Sequence, residues 1–181
     1  MHATPRGPAE AKTALIQVLQ NAYSGELAAS LAYGGHARSV NSPVEKKEIE
    51  KFLDEELVHR EDVGKMLAVL GASPDPTKER KSFWIGTLIS LLCRIGGWFV
   101  PMWGAGKLES TNIVEYEDAA YYANLAGYVQ FVEKLLTMAE VEWDHELYFR
   151  TKAETSFLRH IFPRWPVPPP REEIRNKSTK W

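Results

Sequence analysis

Cysteine is almost missing from this 181-residue sequence, in which Cys93 stands alone. A single thiol excludes an intramolecular disulfide framework and any Cys-rich zinc or iron–sulfur site. An excess of one charge is missing too. Lys plus Arg number 22 against 24 for Asp plus Glu, a formal net charge of −2. No global basic field therefore points to nucleic acid as a partner. The opening MHATPRGPAE holds no apolar signal core, and classical secretion is not expected. Strand-like alternation never persists beyond a few residues, and no solenoid-type repeat is visible.

What is present is helical periodicity, and it predicts an all-α fold. Residues 1–9, with Pro5, Gly7 and Pro8, read as a loose arm. Over 10–40, Leu15, Val18, Leu19, Ala22, Glu26, Ala29 and Tyr33 share one helix face. Asn41-Ser42-Pro43 is a turn in which Ser42 can cap and Pro43 can open a second helix. That helix, Pro43 to Leu70, carries the stripe Ile49, Phe52, Leu53, Glu56, His59, Val63, Met66 and Leu67. A third helix is expected from Gly106 to Ala126. A fourth, Val129 to Ala153, has its seam at Phe131, Leu135, Met138, Glu142, His145 and Phe149. Residues 10–158 thus read as one four-helix bundle. Residues 159–181, Pro-rich and then charged, read as an extended tail, either free or docked on the surface, and its folding back over the bundle stays open.

Between helices two and three lies the apolar run 83–103, in which Arg94 is the only charge. Its length suits a bilayer span, but Arg94, Gly96-Gly97 and Pro101 argue against a simple spanning helix. Trp84, Trp98 and Trp103 suit the water–lipid boundary. The segment therefore reads as a membrane-surface insert flanked by Lys78, Arg80, Lys81 and Lys107. The competing reading is a buried core helix or a seam between copies in a homo-oligomer. A peripheral membrane location on the cytoplasmic side is expected.

The stripes contain residues a bundle core should not have. Glu26 sits on the first, Glu56 and His59 on the second, Glu142 and His145 on the fourth. Clustered buried carboxylates repel one another and lose hydration, so something positive must compensate. A pair of metal ions does so directly. Glu-x-x-His places both side chains on one helix face about a turn apart. Carboxylate and imidazole ligands with open positions suit iron, and manganese as well. Glu26 and Glu56 lie equally far from Asn41, so the first hairpin brings them to one level. For helix three, levelling against Glu142 lands between Glu109 and Glu115 without choosing. The face shared with Leu108, Thr111, Ala119 and Tyr122 favours Glu115.

These residues give the chain a resemblance to the ferritin-like superfamily, and within it to the demethoxyubiquinone hydroxylase family of ubiquinone biosynthesis. The carriers are Gly25-Glu26 followed by small residues, Glu56-x-x-His59, and the apolar stretch ending in Gly104-Ala105-Gly106-Lys107. Asn112-Ile113-Val114-Glu115 and Glu142-x-x-His145 complete the set. The resemblance covers about residues 12–150. It implies two iron ions held by Glu26, Glu56, His59, Glu115, Glu142 and His145. It further implies a monooxygenase that uses O2 to hydroxylate a quinone or similar lipid-like substrate, with electrons from NADH directly or through a partner. The apolar insert would dock on the membrane and admit the substrate.

Two other classes of function stay open. One is a ferritin-like iron-binding, oxidase or peroxide-detoxifying protein without an organic substrate. The other is a metal-free, membrane-associated interaction bundle in which each Glu-x-x-His is a structural polar pair. Of the remaining candidates, His36 is expected to point away from the Glu26 face. Cys93 is expected to pack, and Asp144 and Glu146 either support an imidazole or are solvated. Tyr23, Tyr33, Tyr116 and Tyr122 read mainly as amphipathic bundle residues.

Overall fold

The computed structural model describes residues 5, 7–178 and 181, and the described residues are helical without a strand. The order is α1 (Pro8–Ser39), α2 (Pro43–Val69), α3 (Pro76–Leu92), α4 (Phe99–Leu125), α5 (Val129–Glu154), a 3-10 turn (Phe157–His160) and α6 (Arg171–Ser178). Most of the expected arm, residues 1–4 and 6, lies outside the described residues. Pro8 and Ala9, placed in that arm by the sequence reading, already belong to α1.

Local signals set the helix ends. Ser42 accepts from Glu45 N at 3.3 Å with Pro43 at the first helical position, as the turn sequence predicts. Asp75 caps α3 by accepting from Thr77 N at 2.8 Å and Lys78 N at 3.3 Å. Gly127, at φ 82°, takes the left-handed conformation between α4 and α5 that a residue with a Cβ resists.

α1 and α2 form one antiparallel hairpin, α4 and α5 the other. Between them α3 runs parallel to α1, since Gly86 meets Ala28 while Gly35 meets Ser90. The crossover leaves α2 and α4 running the same way, and the long helices form a four-helix bundle with one long connection. The apolar run 83–103 is therefore not one insert. It breaks at Cys93–Trp98, where Gly97 has φ 67°. Its first half completes α3 against α1, and its second half opens α4, which starts at Phe99 instead of Gly106. Among the described residues no helix is long and apolar enough to cross a membrane.

Two apolar clusters fill the bundle. One gathers Leu15, Leu19, Val63, Leu67, Ile113 and Leu135; the other gathers Tyr33, Ile49, Phe52, Met102 and Phe149. On every long helix the polar stripe residues fall between them. Glu26 lies between Leu19 and Tyr33, Glu56 and His59 between Phe52 and Val63, and Glu142 and His145 between Met138 and Phe149. The charged centre is thus sealed by apolar side chains along the bundle axis.

The tail docks on the bundle and ends in a short helix. Trp165 is buried on Gly106, where an added Cβ would come within 2.6 Å of its ring. Its indole donates to Glu146 Oε1 at 2.6 Å. Residues 171–178 form α6, which buries Ile174 in the first apolar cluster. Arg175 Nε of α6 donates to Glu140 Oε1 at 2.7 Å.

Candidate metal centre

Six buried side chains from all four long helices converge at mid-bundle. They make two overlapping groups, each with ligand atoms within 4.8 Å of one another: Glu26, Glu56, His59 and Glu142, and Glu56, Glu109, Glu142 and His145. Glu56 and Glu142 belong to both, as residues between two neighbouring metal positions would. Glu26, Glu56, His59, Glu142 and His145 therefore come together as the stripes predict.

Glu115 does not join them, and this corrects the expectation for helix three. It is half-buried on another face of α4, near enough to Glu26 to feel its charge and opposed by Lys78. Burial lifts its carboxyl to about 7. Glu109, two turns earlier, occupies the site instead and is fully enclosed. The face argument misled because α4 extends back to Phe99. With Met102, Glu109, Ile113 and Tyr116 as its inner line, the helix presents a different stripe from one starting at Gly106.

Both imidazoles turn Nδ1 to the carboxylates. His59 Nδ1 lies 2.9 Å from Glu142 Oε1, and 3.9 Å from both Glu26 Oε1 and Glu56 Oε2. His145 Nδ1 lies 3.4 Å from Glu56 Oε1 and 3.8 Å from Glu142 Oε2. On the far side of its ring, His145 Nε2 donates to Glu55 Oε2 at 2.9 Å, which fixes the tautomer that leaves Nδ1 a lone pair. Sequence reasoning missed Glu55. The support it sought in Asp144 and Glu146 goes elsewhere, to Arg171 and to Arg150 with Trp165. The available signal was adjacency to Glu56: on a helix facing a partner, the neighbouring residue falls on the flank of the stripe.

Two tyrosines bind the carboxylates from within the bundle. Tyr33 donates to Glu109 and Tyr116 to Glu26, and Asn112 Nδ2 donates to Glu109 Oε2 at 2.9 Å. Burial, and then the nearby carboxylates, raise both phenols well above their ordinary range.

The electrostatics are those of a centre short of positive charge. Burial and then the charge of Glu142 push Glu56 far up, burial and Glu142 do the same to Glu109, and burial lifts Glu142 to about 8. Burial also depresses His59. Both oxygens of Glu56, Oε2 of Glu26, Oε2 of Glu142 and Nδ1 of His145 are buried without a hydrogen-bond partner among the described residues. Orphaned acceptors aimed at a common point are what metal ligands look like without their metal. The donor set, carboxylate oxygen with imidazole nitrogen, fits a divalent transition metal at each position.

An apolar cavity of about 380 Å³ lies between α1, α3 and α4 and reaches the centre at Tyr33, Glu109 and Asn112. Its outer lining includes Ile85, Leu92, Val100 and Leu108, all substantially exposed. Beside them α3 exposes Trp84, Leu88 and Leu91, and the turn that follows it exposes Ile95. His36 also lines the cavity and is buried, and it stands outside both metal groups, as expected of a residue turned away from the Glu26 face. Lys78 is turned inward with its Nζ enclosed, whereas Arg80, Lys81 and Lys107 are exposed as expected.

The geometry stands without a relative: no family model, curated protein or solved structure matches the chain.

Proposed function

We propose that the chain is a ferritin-like di-iron carboxylate oxidoreductase of the demethoxyubiquinone hydroxylase type, acting on a quinone or similar lipid-like molecule at a membrane surface. The observation that carries this reading is the union of two features. Six buried ligands form two overlapping metal groups, and an apolar cavity leads from an exposed apolar face to one of those ligands, Glu109. The single long crossover between two hairpins is the ferritin-like connectivity.

Glu26, Glu109, His59 and His145 would each hold one metal position, with Glu56 and Glu142 between the two. When bound, the iron pair supplies the redox change that lets O2 react with an organic bond. In the overall balance one oxygen atom becomes a ring hydroxyl and the other leaves as water. The two electrons and one proton come from a hydride donor such as NADH, and the second proton comes from solvent. The chain's own residues set the conditions. Apolar layers above and below the ligands exclude water. Tyr33 and Asn112 fix Glu109 at the inner end of the cavity, and Glu55 fixes His145. The walls, mostly Ala, Gly, Leu and Ile, accept a flat or branched hydrocarbon and offer few competing polar contacts.

The exposed stripe on α3, with Arg80, Lys81 and Lys107 near it, suits contact with an anionic bilayer surface. A substrate dissolved in lipid could then enter the cavity without crossing water.

The test is anaerobic Fe(II) loading of the full chain in mild detergent, followed by metal analysis and O2 uptake with reductant. About two irons per chain, as a di-iron bundle holds, and quinone-dependent O2 uptake with a hydroxylated product are expected. Both uptake and iron should be lost in Glu142→Ala. Iron uptake with O2 consumption but no product from any quinone would favour an oxidase or peroxide-detoxifying protein. Failure to take up Fe(II) or Mn(II) would leave an interaction bundle. In the same preparation, cosedimentation with anionic vesicles should fall at least severalfold in Trp84→Ser/Leu88→Ser/Leu91→Ser.

A further inference from the structure

A group of cations that neither the metal centre nor the apolar cavity uses gathers at one end of the bundle. Arg38, Lys46 and Arg94 line an open depression of about 550 Å³, completed by Ala37, Ser39 and Val40. All three cations are exposed, and no acidic residue shares the lining. Three elements place them. Gly35 of α1 meets Ser90 of α3 and the two helices run parallel, so Arg38 and Arg94 fall side by side about one turn further on. Lys46 comes from the start of α2, across the turn that ends α1. Arg38 Nη2 makes only a 3.4 Å contact with Ser90 Oγ, and neither arginine has a carboxylate partner among the described residues. Lys46 reaches Glu50 at 3.8 Å with both side chains about half exposed, a pairing that solvent screens. Glu45, beside Lys46 in sequence, has Oε1 taken by Lys152 and Oε2 by Trp98, each at 2.9 Å. One cation at a helix C-terminus is ordinary. Three cations from three elements on one depression repel one another until an anion joins them.

We propose that this depression binds the phosphate of an anionic phospholipid, with Arg38 and Arg94 donating to its oxygens and Lys46 adding charge. Guanidinium donors set side by side match phosphate oxygens. The lipid, as opposed to a free phosphate, is argued from what flanks Arg94. Leu91 and Ile95 are 58% and 79% exposed. A free phosphate leaves both in water, whereas the chains of a lipid cover them. Arg94 follows the last turn of α3, so the cation stands where the apolar face of that helix ends. The attraction of Arg80, Lys81 and Lys107 to a bilayer is diffuse; here a discrete site holds one headgroup. The inference takes from the functional reading only the contact of the α3 face with lipid, and it needs no metal.

The test titrates the metal-free full chain, in one nonionic detergent throughout, with dihexanoylphosphatidate. The controls are dihexanoylphosphatidylcholine, whose ammonium cancels the charge, and inorganic phosphate, which lacks the chains. Phosphatidate should bind about tenfold more tightly than either, the worth of one hydrogen bond between charged groups. In Arg38→Gln/Arg94→Gln its affinity should fall to within about twofold of that for phosphatidylcholine. Arg80→Gln/Lys81→Gln, the same loss of charge elsewhere, should change it by less than about twofold. Equal binding of phosphatidate and phosphatidylcholine by the wild type overturns the site. So does a preference that survives the arginine pair, or one that both pairs weaken alike, as diffuse attraction does. Inorganic phosphate bound as tightly as phosphatidate overturns the lipid assignment. Should the arginine pair fail to fold, the wild type still decides: the Nε resonances of Arg38 and Arg94 must shift with phosphatidate, and no shift overturns the proposal. With no metal present, none of these outcomes bears on the di-iron reading, and vesicle cosedimentation persists if this site alone is wrong.

Discussion

At the level of single residues, the choice between Glu109 and Glu115 separates a ligand from a bystander of the same type. Both are carboxyls on α4 that desolvation raises, yet only Glu109 is fully enclosed and within reach of Glu56, Glu142 and His145. Glu109→Gln should therefore cut the metal content of the loaded chain at least by half, whereas Glu115→Gln should leave it intact. Metal analysis after gel filtration reads both. Full metal in the Glu109 variant would move the ligand assignment elsewhere on α4. Five of the six candidate ligands were legible in the sequence because a Glu or His on an otherwise apolar stripe announces itself. Glu109 was ambiguous because its stripe depends on where α4 starts, and that start lies inside an apolar run without a cap. Glu55 was illegible for a different reason. It acts from the flank of a stripe, across to a neighbour that periodicity does not identify.

At the level of elements, α3 is held by glycines rather than by a large apolar face. A Cβ on Gly35 would lie 2.4 Å from Ser90 Cα, and one on Gly86 would lie 2.7 Å from the Ala28 carbonyl oxygen. The two helix backbones touch at these points, and no rotamer change can relieve such a clash. Gly35→Ala and Gly86→Ala are each expected to cost about 1–3 kcal/mol. Gly104→Ala, on α4 with nothing within 4 Å of its new Cβ, should gain about 0.5–1 kcal/mol from helix propensity alone. Urea midpoints of the three variants test the contrast. A Gly35 variant as stable as Gly104→Ala would mean that α3 is not packed this closely. The helical pairs α1/α2 and α4/α5 were readable from period and turn residues, since Ser42-Pro43 and Gly127 mark their ends. The division of 83–103 between two helices was not readable. Apolar residues there face a helix on one side and the exterior on the other, so hydropathy shows no phase. The docking of the tail was left open by its prolines, and its short helix was not foreseen. Trp165, Ile174 and Arg175 supply the anchoring contacts, and isolated anchors leave no periodic signal.

For the whole molecule, the buried centre couples stability to pH, with a slope that depends on metal. Without metal, burial and mutual repulsion hold Glu56 and Glu109 protonated well above the ordinary carboxyl range, and Glu142 up to about 8. Glu115, raised to about 7, adds to them. Once unfolded, these carboxyls ionise at ordinary values near 4.5. Above that pH the folded chain therefore binds more protons than the unfolded one, and stability falls as pH rises. His36, lowered to about 4 from 6.5, works in the opposite direction, as does the depressed His59. Their effect ends once the unfolded imidazoles are neutral, above about 6.5. The carboxyls are thus left to dominate between pH 6.5 and pH 8, each proton contributing up to ~1.4 kcal/mol per pH unit. Bound metal holds the same carboxylates ionised, so the loaded chain binds no more of these protons than the unfolded one, and its stability should stay nearly level over that interval. Urea midpoints at pH 6.5 and pH 8, with and without Mn(II) as a redox-silent probe, should fall without the metal and hold nearly level with it. Glu56→Gln, which removes one of these titrating groups, should flatten the metal-free slope and raise the stability of the metal-free chain, because its amide needs neither a proton nor a counter-charge. A metal-free midpoint that rises with pH between these values would mean that the carboxyls are already ionised and otherwise compensated, and would remove the reason for metal at the centre of this bundle.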